Sequence, residues 1–387
     1  MIKRIATLLT LLILLGSLAA CGKAAPQETA GPRPGVLTVQ FEYSQEQISD
    51  DGVTMMTVDR VSPTVQITDN AAAAERIQRA LAEQLRIDQA LIEENTGYAR
   101  MQYSGLNEND KTYWGGYSLS VGCSVMRGDD AVASFARSFY QYSGGAHGGY
   151  ENFGLSFDAA TGEALTADNM SGDPQMLRDR VSDWILSDSK TLADHGVLSS
   201  PVEFAGSVLD SGQWCFTDSG LLVWANPYEI AAYAAGIVEF TVPYSELNGL
   251  LLEKYIPEEK AVPAPEQLHI EQKDETAAKQ TVSSVVLDAQ GDSFYIWADG
   301  AADSIRLSSV GWTADGSSYE MHELFYLSSL ADGEALEVTA QFMDTPNLQV
   351  SFGLSSYLIT ESGNDGSLSL TAKSDRMETF TFMISAE

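Results

Sequence analysis

Soft metal ligands are scarce in this chain: three cysteines and four histidines in 387 residues. No C-x-x-C or Cys/His pairing occurs, so no zinc or iron–sulfur ligand set is spelled out. His147, His195, His269 and His322 stand in neither H-E-x-x-H nor H-x-x-x-H spacing, which leaves a zinc hydrolase without its ligands. A serine nucleophile on a G-x-S-x-G elbow is missing, and no glycine loop has the spacing that cradles a phosphate at a helix start. No cofactor is implied. Basic residues are few as well, 22 Lys and Arg against 54 Asp and Glu, for a formal net charge of −32. Such a chain repels nucleic acid and anionic headgroups and steers a basic partner towards itself. The same acidity keeps an exported protein soluble. At this length the chain has room for two or three domains.

Only one apolar run is long enough to notice. Lys3 and Arg4 precede Ile5 to Leu15, and Leu18-Ala19-Ala20-Cys21 follows. That is a secretory signal over residues 1–20, too short for a comfortable membrane span. The Leu-Ala-Ala-Cys ending resembles the bacterial lipobox, which implies cleavage before Cys21 and a diacylglycerol on its thiol. The alternative is a plain signal peptide cut near Ala20. With two or more acyl chains the protein would be anchored to the outer face of the cytoplasmic membrane. Residues 21–35 then read as the lipidated cysteine and a flexible tether. Cys123 and Cys215 remain. An oxidising compartment permits a disulfide between them, but Cys123 lies on the apolar side of an alternating strand, so a buried free thiol fits equally.

Residues 36–254 mix strands and helices without a βαβ rhythm. Leu37-x-Val39-x-Phe41-x-Tyr43 alternates as a strand, and shorter strands are expected at 53–58 and 65–67, with a turn at Asp50–Gly52. A helix capped by Asp69 or Asn70 carries the stripe Ile77, Leu81, Leu85 and ends between Arg86 and Asn95. Strands follow at 117–125 and 131–142. Asp173-Pro174 opens a second helix with Met176/Leu177, Val181 and Trp184/Ile185 inward. A hairpin over 213–224, a strand at 238–243 and a closing helix at 244–252 complete this part. The expected class is α+β, a mostly antiparallel sheet with two or three packed helices. Residues 255–267 form a Pro/Glu linker, and 268–387 read as an all-β sandwich domain from alternating strands and regularly spaced turns. One helix-compatible run, 321–330, stands out there.

The chain is organised around Tyr142-Ser-Gly-Gly-Ala-His147-Gly-Gly-Tyr150, where four glycines surround one histidine between two aromatics. Glycine tolerates positive φ and close backbone approach, so this is a constrained hairpin loop. Phe157-Asp158-x-x-Thr161-Gly162 follows as a closing turn. The other marked passage is Phe216-Thr-Asp-Ser-Gly-Leu-Leu-Val, then Pro227-Tyr228-Glu229-Ile-Ala-Ala-Tyr233-Ala-Ala-Gly236 and Val242-Pro-Tyr-Ser-Glu-Leu247. Together, over about 36–254, the two passages resemble the RsiV-like extracytoplasmic domain (lysozyme-sensing type) and the PdaC-type domain that precedes it. The resemblance implies a non-catalytic module at the cell wall. It brings neither a deacetylase metal motif nor a cytoplasmic sigma-binding segment, since only Met1 to Arg4 precede the apolar run.

The expected function is a lipid-anchored, non-enzymatic binding protein of the bacterial cell envelope whose partner is a basic lysozyme-type muramidase. A peptidoglycan- or glycan-binding module is the alternative, and a wall hydrolase using an acidic pair a third reading. Aromatics on loops stack on sugars or anchor protein partners. The candidate contacts are therefore Tyr142, His147, Tyr150, Tyr228, Glu229 and Tyr233. Ser143 and His147, with Asp158 or Glu151, are the one nucleophile–base arrangement within reach. Asp168–Asp173 departs from calcium-loop spacing and reads as a turn and helix cap.

Overall fold

A long hairpin opens the fold. β1 (Leu37–Asp50) turns through Asp51 and Gly52, both at positive φ, into β2 (Val53–Ile67). The two short strands expected after the turn are one strand. Pro63 is tolerated within it because the pairing of β2 with β3 stops at Arg60. The computed structural model describes residues 35–197, 201–257, 268–272, 280–312, 319–341, 348–352, 355–362 and 367–372. The expected signal sequence, Cys21, most of the expected tether and linker, and the turns expected at 314–316 and 364–366 lie outside these residues. Among the described residues no helix is long and apolar enough to cross a membrane.

From β2 the chain enters α1 (Ala71–Gly105), whose first turn is capped by the Asn70 side chain on the Ala73 N–H. A short α2 (Glu108–Lys111) leads to β3 (Tyr117–Gly128), which lies parallel to β2. β4 (Val132–Tyr142) and β5 (Gly149–Asp158) then add antiparallel. Next come α3 (Ala167–Met170), α4 (Pro174–Ser187), α5 (Ser189–Asp194) and α6 (Val202–Ser207). A three-stranded sheet of β6 (Trp214–Phe216), β7 (Gly220–Ala225) and β8 (Val238–Pro243) follows. The closing helix, α7 (Tyr244–Leu247), is shorter than expected, because Gly249 turns the chain at φ +75°.

The C-terminal region is all strand: β9 (Leu268–Gln272), β10 (Gln280–Val286), β11 (Asp292–Ala298), β12 (Ala302–Trp312), β13 (Tyr319–Leu330), β14 (Glu334–Ala340), β15 (Leu348–Phe352), β16 (Ser355–Ser362) and β17 (Ser367–Ala372). The whole is α+β with mostly antiparallel sheets and a C-terminal β region. β9, β10, β11 and β14 make a four-stranded sheet whose Phe294, Ile296, Leu336 and Val338 share a core with Ile305, Leu307, Phe325 and Val350 of the strands opposite. Those opposite strands are not a separate sheet. β13 pairs with β1 at Thr38–Leu327, Val39–Tyr326 and Gln40–Phe325, so ten strands run as one sheet in the order β17-β16-β15-β12-β13-β1-β2-β3-β4-β5. Tyr326 Oη reinforces the junction by donating to the Gly128 carbonyl at 2.7 Å.

The helix-compatible run at 321–330 is thus strand β13. It sits between β1 and β12, and Phe325, Tyr326, Leu327, Ser328 and Leu330 are all buried. A strand covered on both faces reads as a continuous apolar run, without the alternation of a half-exposed one.

Helix α1 runs well past the expected end. Ala73, Ala74, Ile77 and Leu81 join the core over β1, β2 and β3, and further along the polar Asp88, Asn95 and Thr96 are buried beside Ile92 and Ala99. Asp88 pairs with Arg137 of β4, Gln84 accepts from the same guanidinium at 3.3 Å, and Asn95 accepts from Gln141 at 2.6 Å. A second buried guanidinium, Arg127, donates to Asp129 at 2.7 Å, Tyr244 Oη at 2.8 Å and the Tyr255 carbonyl at 2.6 Å, tying the β3–β4 hairpin to α7 and the segment behind it.

Cys123 and Cys215 do not form the disulfide that their number allowed; both are free and buried. Cys123 faces the core between α1 and the sheet, and Cys215 lies in β6. Burial raises both thiols, Cys123 to about 12. A thiol is reactive as its thiolate. Ellman's reagent should therefore label neither cysteine in the native protein from Gly22 onwards and both after denaturation. One thiol titrating in the native state would contradict this packing.

Candidate functional site

The glycine–histidine loop joins β4 to β5. Gly144 and Gly145 sit at φ +92° and +94°, a region that side-chain-bearing residues rarely adopt, and the Tyr142 hydroxyl donates to the Gly145 carbonyl at 3.0 Å. A Cβ on Gly148 would run into the Tyr140 ring. His147 Nδ1 donates to the Gly148 carbonyl at 2.9 Å, so the proton sits on Nδ1. Asp158, the acid that might have joined it, closes the far end of β5, about 30 Å of strand away. Burial works against ionisation there, but hydrogen bonds from Lys254, Tyr255 and Thr161 outweigh it and hold the carboxyl at about 2.

The second passage comes to the same place. Asn226 accepts from the Asn152 N–H of β5 at 2.8 Å, and Glu229 accepts from the Asn226 N–H at 2.7 Å and from Gln213. This bracket holds Tyr228 at φ +71° with 67% of its surface exposed. A bulky residue in that conformation is uncommon and costs on the order of 1–3 kcal/mol, so the surrounding bonds must impose it. Tyr233 follows in a single 3-10 turn that ends on Gly236 at φ +75°.

The two passages, some eighty residues apart, meet ring to ring. His147 stacks on Tyr233 with centroids 3.9 Å apart and planes at 21°. Tyr150 meets Tyr233 edge-on at 5.4 Å, and Tyr228 lies 5.7 Å from it, tilted by 34°. Burial against this group raises the Tyr150 hydroxyl above its ordinary pKa. Four of the six nominated residues therefore form one aromatic cluster at the surface. Tyr142 stays outside it, bracing the loop. Glu229 positions Tyr228, its carboxylate taken up by Asn226 and Gln213. The bracket of Asn152, Gln213 and Asn226 escaped the sequence reading, although Asn226-Pro227 is a turn signal that marks it. Among the described residues no three His, Cys, Asp or Glu side chains are arranged to hold a metal ion. Asp168 pairs with Arg178 at 2.9 Å and Asp173 caps α4.

Residues 176–245, from α4 to the start of α7, match the family model described as "Protein of unknown function (DUF3298)". The chain contains a DUF3298 domain. That domain carries Tyr228, Glu229 and Tyr233, while His147 and Tyr150 come from the β4–β5 hairpin before it. Among solved structures the chain is similar to a DUF3298 family protein from Pseudomonas aeruginosa PAO1, at 16% identity and TM-score 0.38, over 57% of this chain and 98% of that one. It is similar also to a DUF3298 family member from Bacteroides fragilis NCTC 9343, at 20% identity and TM-score 0.38, over 56% of this chain and 95% of that one. No curated protein matches the chain.

Proposed function

We propose that this is a non-catalytic binding protein of the bacterial cell envelope, exported and held at the outer face of the cytoplasmic membrane by lipid on Cys21. It captures a basic, wall-associated protein of the lysozyme type through the cluster of His147, Tyr150, Tyr228 and Tyr233. The observation that carries this reading is Tyr228, whose exposed ring is presented by a backbone conformation that the Asn226–Glu229 bracket imposes. Strain of that kind collects at ligand clamps. The resemblance of the two passages to RsiV-like and PdaC-type domains supplies the partner class, and the charge of −32 supplies the attraction, since complementary fields raise association rates.

Titration calorimetry of the soluble form, Gly22 onwards, with a basic lysozyme at two salt concentrations tests it. Saturable binding that weakens with salt is expected. Tyr228→Ala and Tyr233→Ala should each weaken it by about thirtyfold, the effect of losing a central aromatic anchor. No heat at either salt sinks the lysozyme reading. The exposed Tyr228 ring also suits a sugar face, so binding of soluble peptidoglycan fragments in place of lysozyme would move the assignment to a glycan module.

A further inference from the structure

β5 is the edge strand of the ten-stranded sheet, and most of that edge is covered. In its regular antiparallel pairing with β4, alternate residues turn their N–H and C=O outward. The outward residues are the even-numbered ones. Asn152 N–H donates to Asn226, and its carbonyl accepts from Trp224 Nε1 at 2.9 Å. Gly154 N–H donates to the Gly212 carbonyl at 2.7 Å, the Ser156 carbonyl accepts from Leu165 N–H at 2.7 Å, and Asp158 N–H donates to the Glu163 carbonyl at 2.9 Å. Tyr150 is the next in this series. Among the described residues, nothing hydrogen-bonds its outward N–H and C=O.

This open rung lies directly under the aromatic cluster, because the Tyr150 ring is part of it. The two chain segments that build the cluster are one-signed. Residues 138–153 and 225–240 contain Glu151, Glu229 and Glu239 and no Lys or Arg. An unpaired strand edge is a template for a further strand, and aromatic faces hold cations, best when the site excludes water.

We propose that the partner presents an extended segment that adds to the β5 edge at Tyr150. Its main chain bonds the Tyr150 N–H and C=O, and a Lys or Arg side chain lies over the Tyr228, Tyr233 and His147 rings. The inference rests on the partner-binding reading above and names what that partner must offer: an exposed, extended, cation-bearing stretch.

Amide hydrogen exchange followed by NMR on the soluble protein, with and without basic lysozyme, tests it at the atom concerned. The Tyr150 amide should exchange readily in the free protein and slow by at least about tenfold in the complex, as for an amide newly bonded in a ladder. A variant pair tests the same bond. Tyr150→Ala removes the ring and keeps the N–H, whereas Tyr150→Pro removes both. Proline is tolerated on edge strands where the N–H faces outward. Tyr150→Pro should bind about threefold to tenfold more weakly than Tyr150→Ala, the worth of one hydrogen bond. Should the proline variant not fold, the exchange measurement on the native chain still decides. If lysozyme binds and Tyr228→Ala weakens it while the Tyr150 amide stays unprotected, the strand-addition inference is overturned and the partner reading stands. If lysozyme does not bind at all, both fall.

Discussion

Replacing Arg137 by Met should cost about 3–5 kcal/mol of folding stability, the penalty for leaving a buried charge without its partner. Asp88 and Arg137 face each other between α1 and β4 with side chains only 5% and 8% exposed. Burial pushes the Asp88 carboxyl above its ordinary pKa, and the charge and hydrogen bond of Arg137 pull it partly back. Without Arg137 the upward push is opposed only by the weaker pull of the Arg60 charge. A carboxyl that titrates higher in the folded than in the unfolded chain makes the folded state the better proton binder between the two values. Stability then rises as pH falls through the folded pKa towards the unfolded one. The loss in Arg137→Met should accordingly be largest at neutral pH and shrink in mild acid, as read by urea unfolding at both. The double variant Asp88→Leu/Arg137→Met removes both charges together and should lie close to the wild type, since an apolar pair of similar volume often replaces a buried ion pair without loss. An equally unstable double variant would show that the pair does more than neutralise itself.

Gly154→Ala should be nearly as costly, about 3 kcal/mol, at the upper end of what overpacking does. Gly154 lies where β5 passes β6, and a Cβ there would overlap the Trp214 carbonyl, with the Trp224 ring 3.1 Å away. Backbone cannot swing aside as a side chain does. The three-stranded sheet would have to retreat, stretching Gly154 N–H from Gly212 and Phe216 N–H from the Ser134 hydroxyl. The same retreat would loosen Asn226 from Asn152 and with it the bracket that sets Tyr228. The variant should thus lose affinity for the partner as well as stability, although residue 154 touches no ring of the cluster. Chemical unfolding and the lysozyme titration, run side by side, check both effects. Unchanged binding in a destabilised variant would show that the loop holds its shape independently of this seam.

Local signals were legible in the sequence, and the long-range joins were not. Asp173-Pro174 gave α4 its cap as expected, and of the expected inward stripe Leu177, Val181 and Ile185 are buried, Trp184 is half-buried and Met176 is exposed. The end of α1 was hidden because beyond Leu81 its inward stripe mixes Asp88, Asn95 and Thr96 with Ile92 and Ala99, and polar residues at core positions interrupt the hydrophobic period. Strand β13 was hidden for the opposite reason, since burial on both faces erased its alternation. The aromatic site was half visible. Glycines and aromatics nominated His147, Tyr150, Tyr228 and Tyr233, but the positive φ of Tyr228 and the anchoring of its bracket through Asn226 to Asn152 of β5 involve contacts that no local window contains.

The pairing of β1 with β13 also sets a clock. Leu37 and its hydrogen-bonded partner Ser328 are 291 residues apart. At about 5–20 residues per second of synthesis, β1 exists for roughly 15–60 s before its neighbour has been made. Throughout that interval Leu37, Val39 and Phe41 belong to a strand with one edge open, the arrangement most prone to pair with the wrong chain. The two halves of the ten-stranded sheet are therefore joined at its middle only once β13 has been made, with β15, β16 and β17 still to be added at the far side. Until then a nascent chain of this protein depends on whatever keeps β1 from finding another partner.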